Sequence, residues 1–159
     1  MAHHYFEDKE AFTLVGVSTE LVADYTDFEE INKQKAAFWQ KVNEDGTVQK
    51  LIDESIDGHL FVINEAVDNK MMHSVGVQSD HEIDGTVKVT DFPEGKYLII
   101  EDKADDRQTL NDLLTYAAFG QVLNEITDYA YVGGPNAVVH MEIKEDQHLG
   151  QMWLPVIAQ

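Results

Sequence analysis

Glu142 stands between Met141 and Ile143 in the apolar run "NAVVHMEIK" at 136–144, with His140 two positions before it. Side chains of a strand alternate with a period of two, so His140 and Glu142 are predicted to share one face. On the covered face of a sheet, desolvation raises a carboxyl pKa unless a cation lies beside it. Such a group is a cation receptor or a general acid. On the wet face of an antiparallel sheet the same residue is an ordinary surface acid. His140 on that face can donate to Glu142, shuttle a proton near neutral pH, or simply pack. Glu65, in "VINEA", is the counterpart of Glu142 in the first half of the chain.

Trp39 belongs to the pentapeptide "AAFWQ" at 36–40, which returns as "AAFGQ" at 117–121 with Gly120 in the tryptophan's place. Trp39 could wall a cleft while Gly120 leaves room opposite, and an aromatic face holds a cation with about 0.5–2 kcal/mol. The alternative is a core tryptophan and a close helix–sheet contact at Gly120, because glycine within a helix costs about 1 kcal/mol and needs a reason. Tyr116, Phe119, Tyr129 and Tyr131 add aromatic surface near the second helix and its exit, and Trp153 divides between core and pocket rim. These residues, Trp39, Tyr116, Phe119, His140, Glu142 and Trp153, are the candidate ligand-binding set. No catalytic signature of the G-x-S-x-G, H-E-x-x-H, Walker A or G-x-G-x-x-G type occurs. There is no cysteine, hence no thiolate nucleophile or metal ligand, and His3 and His4 lack the spacing and third ligand of a metal site. Neither a metal nor a cofactor is expected.

The elements that must carry these residues occur twice in the same order. Residues 11–22 have strand composition, and "TDFEEINKQKAAFWQKVNEDG" reads as a helix with a Thr26/Glu29 capping box, Gly46 at its end and Phe28, Ile31, Phe38 and Val42 as its buried stripe. A short helical piece, "TVQKLIDES", and two strands, "HLFVINEAV" and "MMHSVGVQ", follow. The second half runs through the strand "GKYLIIED" and a helix capped by Asp105 or Asp106, with Leu110, Leu113, Leu114, Ala117 and Val122 facing the core. The strands "NAVVHMEIK" and "QMWLPVIA" close it. The order strand–helix–strand–strand therefore predicts a duplicated module, one copy at about 11–79 and one at about 93–159, joined by a connecting strand within 80–92. No Gly/Ser/Pro-rich linker divides them, so residues 1–159 are expected to form one α+β domain: a mainly antiparallel sheet, two helices on one face and a central cleft.

Thirty acids against eleven bases leave a net charge of −19, which repels phosphate backbones and speaks against direct nucleic-acid binding. No run approaches the roughly 18 apolar residues of a membrane span, and the N-terminus lacks a signal-peptide pattern. A cytoplasmic protein is expected.

"LVGVST", "FWQKV", "HSVGV", "FPEGKYLII" at 92–100, "GGP" at 133–135 and "MWLPV" near the end occur in this order from about Phe12 to Ile157. Together they resemble the GyrI-like effector-binding domain, the ligand-sensing part of several bacterial transcription activators, here without a helix-turn-helix. The resemblance implies two modules about a pseudo-twofold axis and a cleft for small hydrophobic, often cationic, molecules, with aromatic residues around a glutamate. The family's Glu–x–Tyr after Gly-Pro is replaced here: Val138 and His140 stand at the matching positions, with Glu142 two residues further on. A stand-alone small-molecule sensor or sequestering protein is the leading expectation. An acidic module engaging a basic protein partner, as the gyrase inhibition naming the family implies, is second. A hydrolase of electrophilic small molecules using a cleft carboxylate is third.

Overall fold

The computed structural model describes residues 3–131 and 133–159; Met1, Ala2 and Val132, which the single-domain span of 1–159 includes, lie outside the described residues. The strands are β1 (His3–Lys9), β2 (Phe12–Leu21), β3 (Leu60–Val67), β4 (Lys70–Val77), β5 (Val87–Phe92), β6 (Gly95–Ala104), β7 (Tyr129–Tyr131), β8 (Asn136–Lys144) and β9 (Gln147–Ala158). The helices are α1 (Phe28–Glu44), α2 (Thr47–Glu54) and α3 (Arg107–Ala117). Beyond α3 the chain winds through a π-helical turn, Ala118–Val122, and a last α-turn, Leu123–Glu125.

The sheet runs β1-β6-β9-β8-β3-β4-β2-β5, with β7 on β9, and every pairing is antiparallel. From the centre outward, the order reads β8-β9-β6-β1 on one side and β3-β4-β2-β5 on the other. The two halves thus mirror each other about the central β3–β8 pair, where Val62 faces Val138. The fold is the α+β sheet expected, with one helix more, since the short piece at 47–54 is a full helix.

Alternation along the strands builds two cores. On one face Leu60, Val62, Val138, Met152 and Leu154 pack against Val42 of α1, Leu51 of α2 and Leu110 and Leu114 of α3. Each fully buried side chain of this size contributes roughly 1.5–3 kcal/mol. The close seat of α3 depends on Gly150, where a Cβ would meet Leu110 Cδ2 at 2.9 Å and the Val139 carbonyl oxygen at 2.6 Å. The other face carries no helix and is filled by Phe12, Phe61, Phe92, Tyr97 and Trp153. Phe12 of β2 lies 5.7 Å from Trp153 of β9, ring centre to ring centre. In a flat sheet those strands, four steps apart, would be separated by roughly 19 Å. The sheet therefore curls until its two sides meet over this aromatic face.

Several local expectations shift. Asp27, not Thr26, caps α1, its carboxylate accepting from the Glu30 amide at 3.2 Å. Thr26 is drawn back to Asp24 by a 2.7 Å hydroxyl bond. Asp106 caps α3, accepting from the Thr109 amide at 2.7 Å. Phe28 and Leu113, read as core, are exposed. The N-terminus, for which no strand was predicted, forms β1 along β6, with the Phe6 ring tilted against that of Tyr129 at 4.6 Å.

Candidate functional site

A cleft of about 530 Å³ opens between α1 and α3 above the centre of the sheet. Val62, Asn64, His73 and Val138 line its floor; Lys35 and Trp39 come from α1, and Asn111, Thr115 and Tyr116 from α3. A second compartment of about 460 Å³ continues it, sharing Asn32, Lys35, Asn64 and Thr115. Tyr25, Phe28, Met71, Met72, Phe119 and Tyr131 make this part apolar, and Glu65 borders it. Every exposed aromatic side chain among the described residues, Tyr25 (77 %), Phe28 (70 %), Tyr116 (63 %) and Phe119 (41 %), belongs to this continuous cleft.

The floor is held by buried polar bonds. His73 Nδ1 and Asn64 Oδ1 are 2.8 Å apart, and the Tyr131 hydroxyl accepts from the Asn136 amide at 3.0 Å while donating to the Gly134 carbonyl. Burial pushes His73 down to about 3, with the Lys35 ammonium adding to the effect, so the ring is neutral at physiological pH. Burial likewise lowers the pKa of Lys35. Its ammonium makes no hydrogen bond or ion pair among the described residues.

The candidates from the sequence fall in four places. Trp39 and Tyr116 face each other across the polar compartment, and Phe119 joins the apolar one with its ring 5.8 Å from that of Tyr131. His140 lies beneath the wall: its ring stacks 5.8 Å from Trp39, and Nε2 is 2.7 Å from Asn111 Oδ1. With Nε2–H donating, Nδ1 is left as a buried acceptor without a partner among the described residues. Burial, aided by the charges of Arg107 and His148, holds this histidine at about 3.

Glu142 is exposed and outside the cleft, because the register slips between His140, opposite Gly150, and Glu142, opposite Leu149. The extra residue, Met141, breaks the period of two that placed His140 and Glu142 on one face. Glu142 instead borders two other cavities, one of about 700 Å³ with Glu101, Lys103 and Gln151 and one of about 210 Å³ beside Arg107 and His148. Trp153 lies on the opposite face of the sheet, its indole against Phe12 and Phe61 and under the Lys9 ammonium at 3.8 Å, so it does not rim this cleft.

Gly120 leaves space for its own neighbour: a Cβ there would come within 2.8 Å of the Tyr116 ring. The residues that sequence reading passed over are Lys35, Asn32 and Asn64. The repeat offset of 81 that pairs Trp39 with Gly120 also pairs Lys35 with Tyr116, a second break in symmetry that was available in the sequence. Among the described residues no His/Asp/Glu group is placed to hold a metal ion, and no helix is long and apolar enough to cross a membrane.

Known structures share this fold. A bacterial transcription regulation protein from Staphylococcus aureus MU50 superposes with a TM-score of 0.70 at 15% identity, over 97% of each chain. SAV2435, solved bound to tetraphenylphosphonium, gives 0.70 at 17% identity over 98% of this chain and 94% of its own. An integron cassette protein from the mobile metagenome of Vibrio cholerae gives 0.59 at 13%, over 97% and 95%. At such identities the likeness establishes the fold. No curated protein matches the sequence. The sequence itself matches the integron-associated effector binding proteins over residues 6–156, in agreement with the effector-binding resemblance of its motifs, and the chain belongs to that family.

Proposed function

We propose that this chain is a small-molecule binding protein whose ligand lies in the cleft between α1 and α3, and that it acts as a sensor or sequestering protein in the cytoplasm. One observation carries the reading: the four exposed aromatic side chains gather around a single cleft instead of scattering over the surface. Exposed apolar groups cost solubility, and their concentration at one concavity is the mark of a surface kept for a ligand. The bound tetraphenylphosphonium of SAV2435, which has the same fold, supports an organic ligand. Catalysis has less in its favour. Both histidines near the floor are held neutral, and each acid at the cleft accepts a single hydrogen bond, Asp112 from Gln108 and Glu65 from Thr90, with no proton-relay partner beside it among the described residues. We read the pseudo-equivalent halves, 11–79 and 93–159, as two copies of one module whose junction became the ligand site.

Titration of the protein with a panel of aromatic cations, anions and neutral molecules, followed by tryptophan fluorescence and calorimetry, tests this. A ligand should quench Trp39, and Tyr116→Ala and Phe119→Ala should each weaken binding about tenfold, the value of roughly 1.4 kcal/mol. At a hundredfold excess over Kd it should stabilise the fold by about 2.7 kcal/mol and raise Tm by roughly 5–10 °C. Binding that ignores both substitutions would move the site elsewhere; no binding by any compound would end the small-molecule reading.

A further inference from the structure

We propose that the chain holds a second ligand site, a small cavity behind the wall of the cleft that takes inorganic phosphate in a protonated form, with Arg107 giving it a hydrogen bond and His140 receiving one. This site is separate from the cleft and independent of what the cleft binds.

His140 is only 5 % exposed, and the two nitrogens of an imidazole point away from one another. Nε2 turns to Asn111, which lines the cleft, at 2.7 Å. Nδ1 therefore faces the other side, where His140 borders the cavity of about 210 Å³ bounded by α2 and the loop after it, the start of α3 and the β8–β9 hairpin. Nδ1 has no partner among the described residues. Arg107, the chain's single arginine and the first residue of α3, borders the same cavity, and its Nε–H is likewise buried without an acceptor. Among the described residues these two are the only buried side-chain nitrogens or oxygens left without a partner, and one cavity joins them. A buried polar group left unmet is costly, so two of them at one cavity mark a place for a guest.

The two atoms set the chemistry of that guest. With Nε2–H donating to Asn111, Nδ1 is an acceptor, whereas Arg107 Nε–H is a donor on a full positive charge. The guest must carry an anionic oxygen and an O–H on one small centre. Hydrogen phosphate and dihydrogen phosphate have both at neutral pH; sulfate and simple carboxylates have lost the proton. Acids outnumber bases thirty to eleven, yet the Arg107 guanidinium makes no ion pair among the described residues. Glu142 also borders the cavity and keeps its charge, but it is exposed to solvent, which screens it. Beyond burial, which lowers the pKa of His140 most, the charges acting on that ring are those of Arg107 and then His148, so the field at Nδ1 is positive. The net charge of −19 opposes the approach of any anion, but it is screened beyond about 8 Å at physiological ionic strength, and contacts inside the cavity act within that range. Charge-assisted hydrogen bonds of this kind are the strong ones.

The test titrates the whole chain with phosphate, sulfate and acetate by calorimetry at neutral pH and constant ionic strength. Phosphate should bind roughly tenfold or more tightly than either control, the range of one hydrogen bond to a charged group. His140→Phe keeps a ring against Trp39 and removes the acceptor, so it should lower phosphate affinity to the level of sulfate. Arg107→Met should abolish binding of all three. Cooperative thermal unfolding reports that each variant is folded; should His140→Phe not fold, Arg107→Met, changed at a half-buried position, and the wild-type ratio of phosphate to sulfate carry the test. Sulfate held as tightly as phosphate overturns the proposal, as does phosphate affinity that survives in Arg107→Met or in a folded His140→Phe. Absence of binding at millimolar phosphate overturns it too, and leaves the two atoms to ordered water. None of these outcomes touches the cleft, whose ligand the aromatic panel tests separately.

Discussion

Gly120 shows how much one missing methyl can decide. Glycine in a helix costs about 1 kcal/mol relative to alanine, so Gly120→Ala would ordinarily stabilise. Here the new Cβ would meet the Tyr116 ring at 2.8 Å, and that ring is exposed enough to swing away. Gly120→Ala should therefore leave Tm unchanged or raised by a few degrees while weakening ligand affinity severalfold, because Tyr116 leaves the cleft. Thermal unfolding and calorimetry on the same sample separate the two effects, and unchanged affinity would remove Tyr116 from the ligand's surroundings. The histidines make a second prediction at this scale. His73 and His140 sit at about 3 in the fold against an ordinary 6.5. Both pKa values are lowered, so their contribution is whole above pH 6.5 and is lost as pH falls from 6.5 toward 3, where the unfolded chain takes protons the native state refuses. Stability should fall by up to about 1.4 kcal/mol per pH unit for each histidine. His81, raised by its bond to Asp80, has the opposite sign and is exposed. Urea unfolding across this window should show the decline, and His73→Gln should halve it; an unaltered slope would mean that His73 does not stay neutral.

The two hairpins set the prediction for the elements. Asp68–Asn69 and Glu145–Asp146 both turn with positive φ, at 52° and 65° and at 53° and 64°. Asp and Asn tolerate that region, whereas Glu has little to offset its cost. Glu145→Asn with Asp146→Gly should stabilise by about 1–2 kcal/mol, read as a Tm higher by roughly 2–8 °C; a lower Tm would show that these side chains do more than turn the chain. Strand and helix order was legible because alternation and helical spacing are written in the apolar residues, and "NAVVHMEIK" coincides with β8 from Asn136 to Lys144. What escaped is physical in origin. A bulge at Met141 has no sequence signature, so the face of Glu142 could not be read. β1 alternates Tyr5 and Phe6 to opposite cores within a polar stretch, and its strand character comes from pairing with β6. Trp39 stood out through the repeated pentapeptide and Tyr116 as aromatic surface on the second helix, but Lys35 was hidden because one lysine on a helix with two others looks like surface. Trp153 was misplaced because a strand residue gives no sign of which sheet face the helices will cover.

At the scale of the molecule the net charge of −19 is a load on the compact state. Raising ionic strength from about 0.01 to 0.15 M shortens the screening length from roughly 30 to 8 Å. Tm should rise over that range in the absence of ligand, and a flat response would mean that local pairing already absorbs the repulsion. The palindromic strand order has a further consequence for this cleft, which lies over the central pair where Val62 faces Val138. Were the two sides identical, an elongated guest could lie end for end with equal energy. Lys35 opposite Tyr116, and Trp39 where the other side has Gly120, remove that degeneracy. That difference between the two sides gives the groove a polarity, so that a guest lying in it would have a distinct head and tail.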